Sequence, residues 1–78
     1  MRTKQLKLIV TFNTTTSAMA MEKVCAEKEI AGRLIPVPRD ITAGCGMAWS
    51  APVDARDIIE KTACEAGIET NGWYELMI

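Results

Sequence analysis

The side chain best placed for chemistry is the thiol of Cys45, which stands between Gly44 and Gly46. A glycine on each side frees the backbone to take positive φ and leaves the sulfur uncrowded. Such a loop can also aim successive N–H groups at one point, an arrangement that holds anions. Arg39 lies in the same segment and favours the thiolate, the nucleophilic form of the side chain. Asp40 sits beside Arg39 and works against it. The plain alternative is a small residue filling a turn between strands.

The chain contains no histidine. The usual acid–base residue near neutral pH is therefore absent, as is the commonest metal ligand. Triads of the serine- or cysteine-protease kind are excluded. The three cysteines are odd in number, widely spaced and free of any C-x-x-C pair, which does not suit a secreted disulfide framework, a dithiol redox motif or a zinc site within one chain. Cys25 falls on the apolar stripe of a predicted helix, where a free cysteine usually acts as a small hydrophobe. Cys64 falls opposite the stripe of a second helix, beside Asp57, Glu60 and Lys61, and should be solvent-exposed. It reads as incidental, or as a resolving thiol for a sulfur species on Cys45.

The elements that must position Cys45 follow from periodicity. Residues 6–12 alternate: Leu6, Leu8, Val10 and Phe12 point one way, and Lys7, Ile9 and Thr11 the other. Asn13-Thr14-Thr15-Thr16-Ser17 then offers several helix-capping residues. A helix over about 18–29 follows, with Ala18, Met21, Val24, Cys25 and the stem of Lys28 on one side. After Gly32, residues 33–37 read as a strand whose Pro36, followed by Pro38, removes backbone donors and marks a sheet edge. The segment 39–46 reads as a loop leading to a short strand over 47–51. Asp54 is the expected cap of a second helix, with Asp57 near its positive end. Its expected core stripe is Ala55, Ile58, Ile59, Thr62, Ala63 and Ala66, and Gly67 is its stop. Asn71-Gly72 is a turn dipeptide before a last strand over 73–78. Trp49, Trp73, Tyr74, Met47 and Met77 read as core or sheet-face packing.

Strand, helix, strand, strand, helix, strand is the order of an α+β ferredoxin-like βαββαβ plait, with a four-stranded antiparallel sheet and two helices on one face. The length suits one domain over 1–78. Nine basic residues against ten acidic ones predict no general attraction to nucleic acid or anionic membrane. The apolar run at 8–10 is too short for a signal peptide or a membrane span, so a reducing cytoplasm is the expected compartment.

The run Arg33-Leu34-Ile35-Pro36-Val37-Pro38-Arg39, then Ile41 and Cys45-Gly46-Met47-Ala48, resembles a family of small bacterial selenium/sulfur carrier-like proteins, formerly a domain of unknown function. Thr11-Phe12 before the helix and Tyr74 in the last strand extend the resemblance over nearly the whole chain. Its specific part spans 34–48. The resemblance implies that Pro38, Arg39, Cys45 and Gly46 matter, and that Cys45 holds sulfur or selenium as a persulfide-type species for transfer between partner proteins, a donor and an acceptor. No cofactor is implied. Where relatives usually carry serines before the cysteine, this chain has Thr42, Ala43 and Gly44, which leaves fewer hydroxyls for a bound anion.

A carrier needs an accessible sulfur and a partner surface, and no acid–base machinery, which agrees with the missing histidine. Two other readings compete. One is a non-catalytic interaction or regulatory module that uses the open sheet face, through Ile9, Met47 or Trp73, or pairs with a second copy. The other is a metal site shared between chains through Cys45, ranked last for want of histidine or a nearby second cysteine.

Overall fold

The computed structural model describes residues 5–38 and 46–77. β1 (Leu6–Thr11) passes through Phe12 into α1 (Thr15–Glu27), and β2 (Arg33–Pro36) and β3 (Met47–Pro52) follow. A 3₁₀ turn at Val53–Ala55 then leads into α2 (Arg56–Ala66) and β4 (Gly72–Met77). All strand pairs are antiparallel, in the order β2-β3-β1-β4. This is the ferredoxin-like plait that the order of elements predicts. Pro36 indeed lies in an edge strand.

The main core lies between the sheet and both helices. Leu8, Val10 and Phe12 of the β1 segment meet Trp49 and Ala51 of β3, Ala18, Met21 and Cys25 of α1, and Ile59 and Ala63 of α2. A second, smaller cluster occupies the opposite face, where Ile9 and Ala48 are fully buried among Ile35, Val37 and Leu76. β1 is thus a central strand with buried residues on both faces, while its first residue, Leu6, stays 43% exposed at the sheet's end. Two residues expected on the open face are elsewhere. Met47 and Trp73 pack against the helix-side core, because the register sets them on the same side as Trp49 and Val10.

Both helix ends differ instructively from expectation. Thr14 caps α1, its Oγ1 accepting the Ser17 N–H at 3.1 Å, so the helix starts earlier than the apolar stripe alone indicates. α2 has no side-chain cap: Asp54 is inside the 3₁₀ turn and the capping position is Ala55. The chain leaves Pro52 already turning, so Asp54 is taken up before the helix begins. The stripe of α2 is also narrower than expected, with Ile59, Thr62 and Ala63 buried, Ile58 48% exposed and Ala66 exposed.

The C-termini of the two helices share one device. Gly67 takes φ +67, and Ile68 N–H reaches Ala63 O at 2.9 Å while Gly67 N–H reaches Cys64 O. This is a Schellman closure, as the stop at Gly67 predicts. α1 closes in the same way through Ile30 N–H to Cys25 O at 2.8 Å, but its left-handed residue is Glu29, at φ +56. A side chain in that conformation costs about 1 kcal/mol, which glycine avoids. Glu29→Gly is therefore expected to raise stability by about 0.5–1 kcal/mol in urea unfolding, glycine's extra freedom in the unfolded chain offsetting part of the gain. A loss of stability would show that Glu29 holds something beyond the turn.

Candidate functional site

Of the residues expected to form the site, Pro38 and Gly46 belong to the described structure. Arg39, Thr42, Gly44 and Cys45 lie outside the described residues. What the structure supplies is the frame on either side of them. β2 and β3 pair from Arg33 with Ser50 to Pro36 with Met47. One further bond, Val37 N–H to Gly46 O at 2.9 Å, closes the pairing just beyond the strands. The two stems of the segment are thus held side by side. Pro38 follows on one side, half-buried, and Gly46 stands on the other, exposed.

Gly46 has φ +88. That backbone region is open to glycine and strained for most other residues, so the glycine expected after the cysteine has a conformational reason. Among the described residues nothing lies within 4 Å of where a Cβ would be.

The same end of the sheet holds the start of α1. Thr11 pairs with Ala48, so β3 begins beside the end of β1, where the chain turns through Asn13 and Thr14 into the helix. The first turn of α1 carries no acidic residue. Beyond the Ser17 N–H that Thr14 Oγ1 takes, the helix dipole therefore leaves a positive end uncompensated by side-chain charge. Asn71 ties β4 to this end: its N–H donates to Thr11 O at 2.7 Å and its Nδ2 to Asn13 Oδ1 at 2.7 Å. Thr11 Oγ1, itself buried, lies 3.3 Å from Asn71 Oδ1 and 3.4 Å from Gly72 O. The sequence marks Asn13 to Ser17 as capping residues and Asn71 as a turn residue. It carries no signal that these groups share an end with the Val37–Gly46 neck, because that depends on the strand register.

The other two thiols separate as expected. Cys25 is fully buried, its Sγ 3.6 Å from Met21 Sδ. Burial pushes its thiol up from the ordinary range, with Lys28 opposing weakly, so it stays protonated and unreactive at neutral pH. Cys64 is exposed on α2. The adjacent Glu65 pairs with Lys28 at 3.4 Å, which sets the last turn of α2 beside the C-terminal end of α1. That is the end of α1 opposite to its first turn, about 20 Å along the helix; the resolving role expected of Cys64 concerns Cys45, which lies outside the described residues. Among the described residues no group of three or more Cys, Asp or Glu side chains could hold a metal ion. No helix among them is long and apolar enough to cross a membrane.

The family described as "Putative Se/S carrier protein-like" matches residues 7–75. The match runs from β1 to β4 and includes both stems and the segment between them. No curated protein and no solved structure matches the chain.

Proposed function

Because the chain belongs to the Se/S carrier protein-like family, we propose that it carries sulfur or selenium as a persulfide-type species on Cys45 and passes it to an acceptor protein. The match over 7–75 carries this reading, since it covers the cysteine segment together with the elements that frame it. The frame supports it. The Val37–Gly46 bond and the start of α1 lie at one end of the sheet, and a helix start favours negative charge. Both a thiolate and a persulfide are anions. Arg39, Thr42 and the N–H groups around Gly44 and Gly46 are the further groups assigned to hold the anion, and Pro38 the stem that leads into it.

The chemistry is an exchange. The Cys45 thiolate attacks the outer sulfur of a donor persulfide, a new S–S bond forms, and the donor's S–S bond breaks to release the donor as a thiolate. No net oxidant or reductant is consumed. A selenium atom in the outer position would transfer by the same step. An acceptor thiolate then takes the outer atom from Cys45 in turn. Every step uses thiolates alone, so the lack of an imidazole is no obstacle.

Partner proteins need a surface to dock on, and the open sheet face suits one. Its side chains include Lys7, Arg33, Ile35, Tyr74 and Leu76, and the strands place no carboxylate on that face. A donor or acceptor with an acidic, partly apolar surface would complement it. This retains the interaction-module idea as part of the carrier's work.

The test is intact-protein mass spectrometry after incubation with a small persulfide donor, wild type against Cys45→Ser. One added sulfur that a reductant removes, absent in the variant, is the expected result. Equal loading of the two proteins, or no loading of either, would sink the carrier reading.

A further inference from the structure

An antiparallel strand bonds its two neighbours alternately, so each residue that turns its backbone to one side leaves the next turned to the other. One bond sets the phase for the whole sheet. Val37 N–H donates to Gly46 O, and these two residues continue the register that pairs Pro36 with Met47. Ile35 and Arg33 therefore also face β3, while Leu34 and Pro36 face outward. Carried across the sheet, Ala48 and Ser50 bond β2, Trp49 bonds Val10, and Ile9 bonds Tyr74. Gly72, Tyr74 and Leu76 thus face β1. Trp73, Glu75 and Met77 turn their N–H and C=O groups away from it.

The two edges are consequently unlike. On β2 the outward positions are Leu34 and Pro36, with Pro38 next in phase, and the two prolines have no N–H to give. Proline at those positions blunts an edge against further pairing. On β4 all three outward residues keep their donors, there is no proline, and among the described residues no strand lies beyond it. Met77 is 56% exposed.

We propose that β4 is a docking edge for a second copy of this chain, paired antiparallel with that copy's β4 in one continuous sheet. Two identical edges related by a two-fold axis present matching donors and acceptors to each other, so the contact is self-complementary. It also closes. With the β2 edge blunted, no third copy can add head to tail, and assembly stops at the dimer. In the full-overlap register Trp73 faces the second copy's Met77, and the two copies of Glu75 face each other. Like charges opposite one another are unfavourable, but each Glu75 already has its own Arg56 at 3.3 Å. The inference stands apart from the role of Cys45.

Sedimentation velocity from micromolar to millimolar protein, with amide hydrogen exchange at both ends of that range, tests it. The expected result is a mass that doubles and then rises no further. The amides of Trp73, Glu75 and Met77 should gain protection as it does, while that of Leu34 should not. Glu75→Pro removes an outward donor and leaves the bonds of Tyr74 and Leu76 to β1, so it should hold the chain as a monomer with unchanged circular dichroism. A monomer at millimolar concentration overturns the proposal. So does a dimer whose β4 amides exchange freely, or a folded Glu75→Pro variant that still dimerises. If that variant fails to fold, the wild-type exchange pattern decides by itself.

Discussion

Gly32→Ala is expected to cost the domain about 3 kcal/mol or more, measured as a shift in urea unfolding. Gly32 sits just before β2 at φ +136, a conformation that L side chains rarely adopt. A Cβ there would stand 2.6 Å from Trp49 Nε1 and 2.8 Å from the backbone oxygen of Ser50. Neither can yield cheaply: Ser50 O belongs to β3, and Trp49 is the largest side chain of the main core, only 3% exposed. Trp49 Nε1 is buried without a hydrogen-bond partner among the described residues, which fits a ring wedged by packing rather than held by polar contacts. For a domain of this size the total stability is about 4–12 kcal/mol, so the change would remove a large share. Because β2 begins at Arg33, the damage would reach the hairpin that frames the Cys45 segment. A cost below about 1 kcal/mol would show that Trp49 can swing aside.

Ile9→Asn is expected to cost about 3–5 kcal/mol, whereas Leu6→Asn should cost less than about 1 kcal/mol. Both are apolar residues of β1. Simple alternation puts Leu6 on the helix side with the core and Ile9 on the side facing away from the helices. The structure reverses their weight: Ile9 is fully buried in the second cluster, and Leu6 is 43% exposed at the strand's end. Asparagine at Ile9 would leave a cavity and also bury an amide among Ile35, Val37 and Leu76, with no apolar loss recovered. Guanidinium unfolding of the two variants side by side decides the matter. Comparable costs for both would mean that the open face is solvated in solution and that the second cluster contributes little.

Much of this architecture can be read from local pattern. Alternation in residues 6–12, the threonine-rich cap before α1, Gly67 after α2 and the turn residue Asn71 just before β4 each act within a few residues, and each is found where the pattern indicates. Pro36 gives more than a break. It sits at an outward-facing backbone position, so its missing donor both forecasts an edge strand and blunts that edge. The run around Pro38, Arg39, Cys45 and Gly46 stands out as a candidate site because its residue types and spacing resemble a family motif, and that family matches the chain. The motif is a property of sequence, and no contact is needed to see it.

Other features depend on which strands become neighbours. Ile9 is buried because β1 lies between β3 and β4, a fact about strand order that no window of residues contains. Asp54 looks like a cap by residue type, yet the turn after Pro52 takes it up and Ala55 holds the capping position. Met47 and Trp73 look suited to an open face until the register sets them against the helices. The order of elements, the prolines of the β2 edge and the candidate thiol segment rest on short-range sterics, periodicity and residue chemistry. That the Val37–Gly46 neck shares an end with the start of α1, and that no described strand lies beyond β4, depends on the tertiary structure. Those outcomes follow from hydrogen-bond register, which couples residues far apart in the chain through the geometry of the whole sheet.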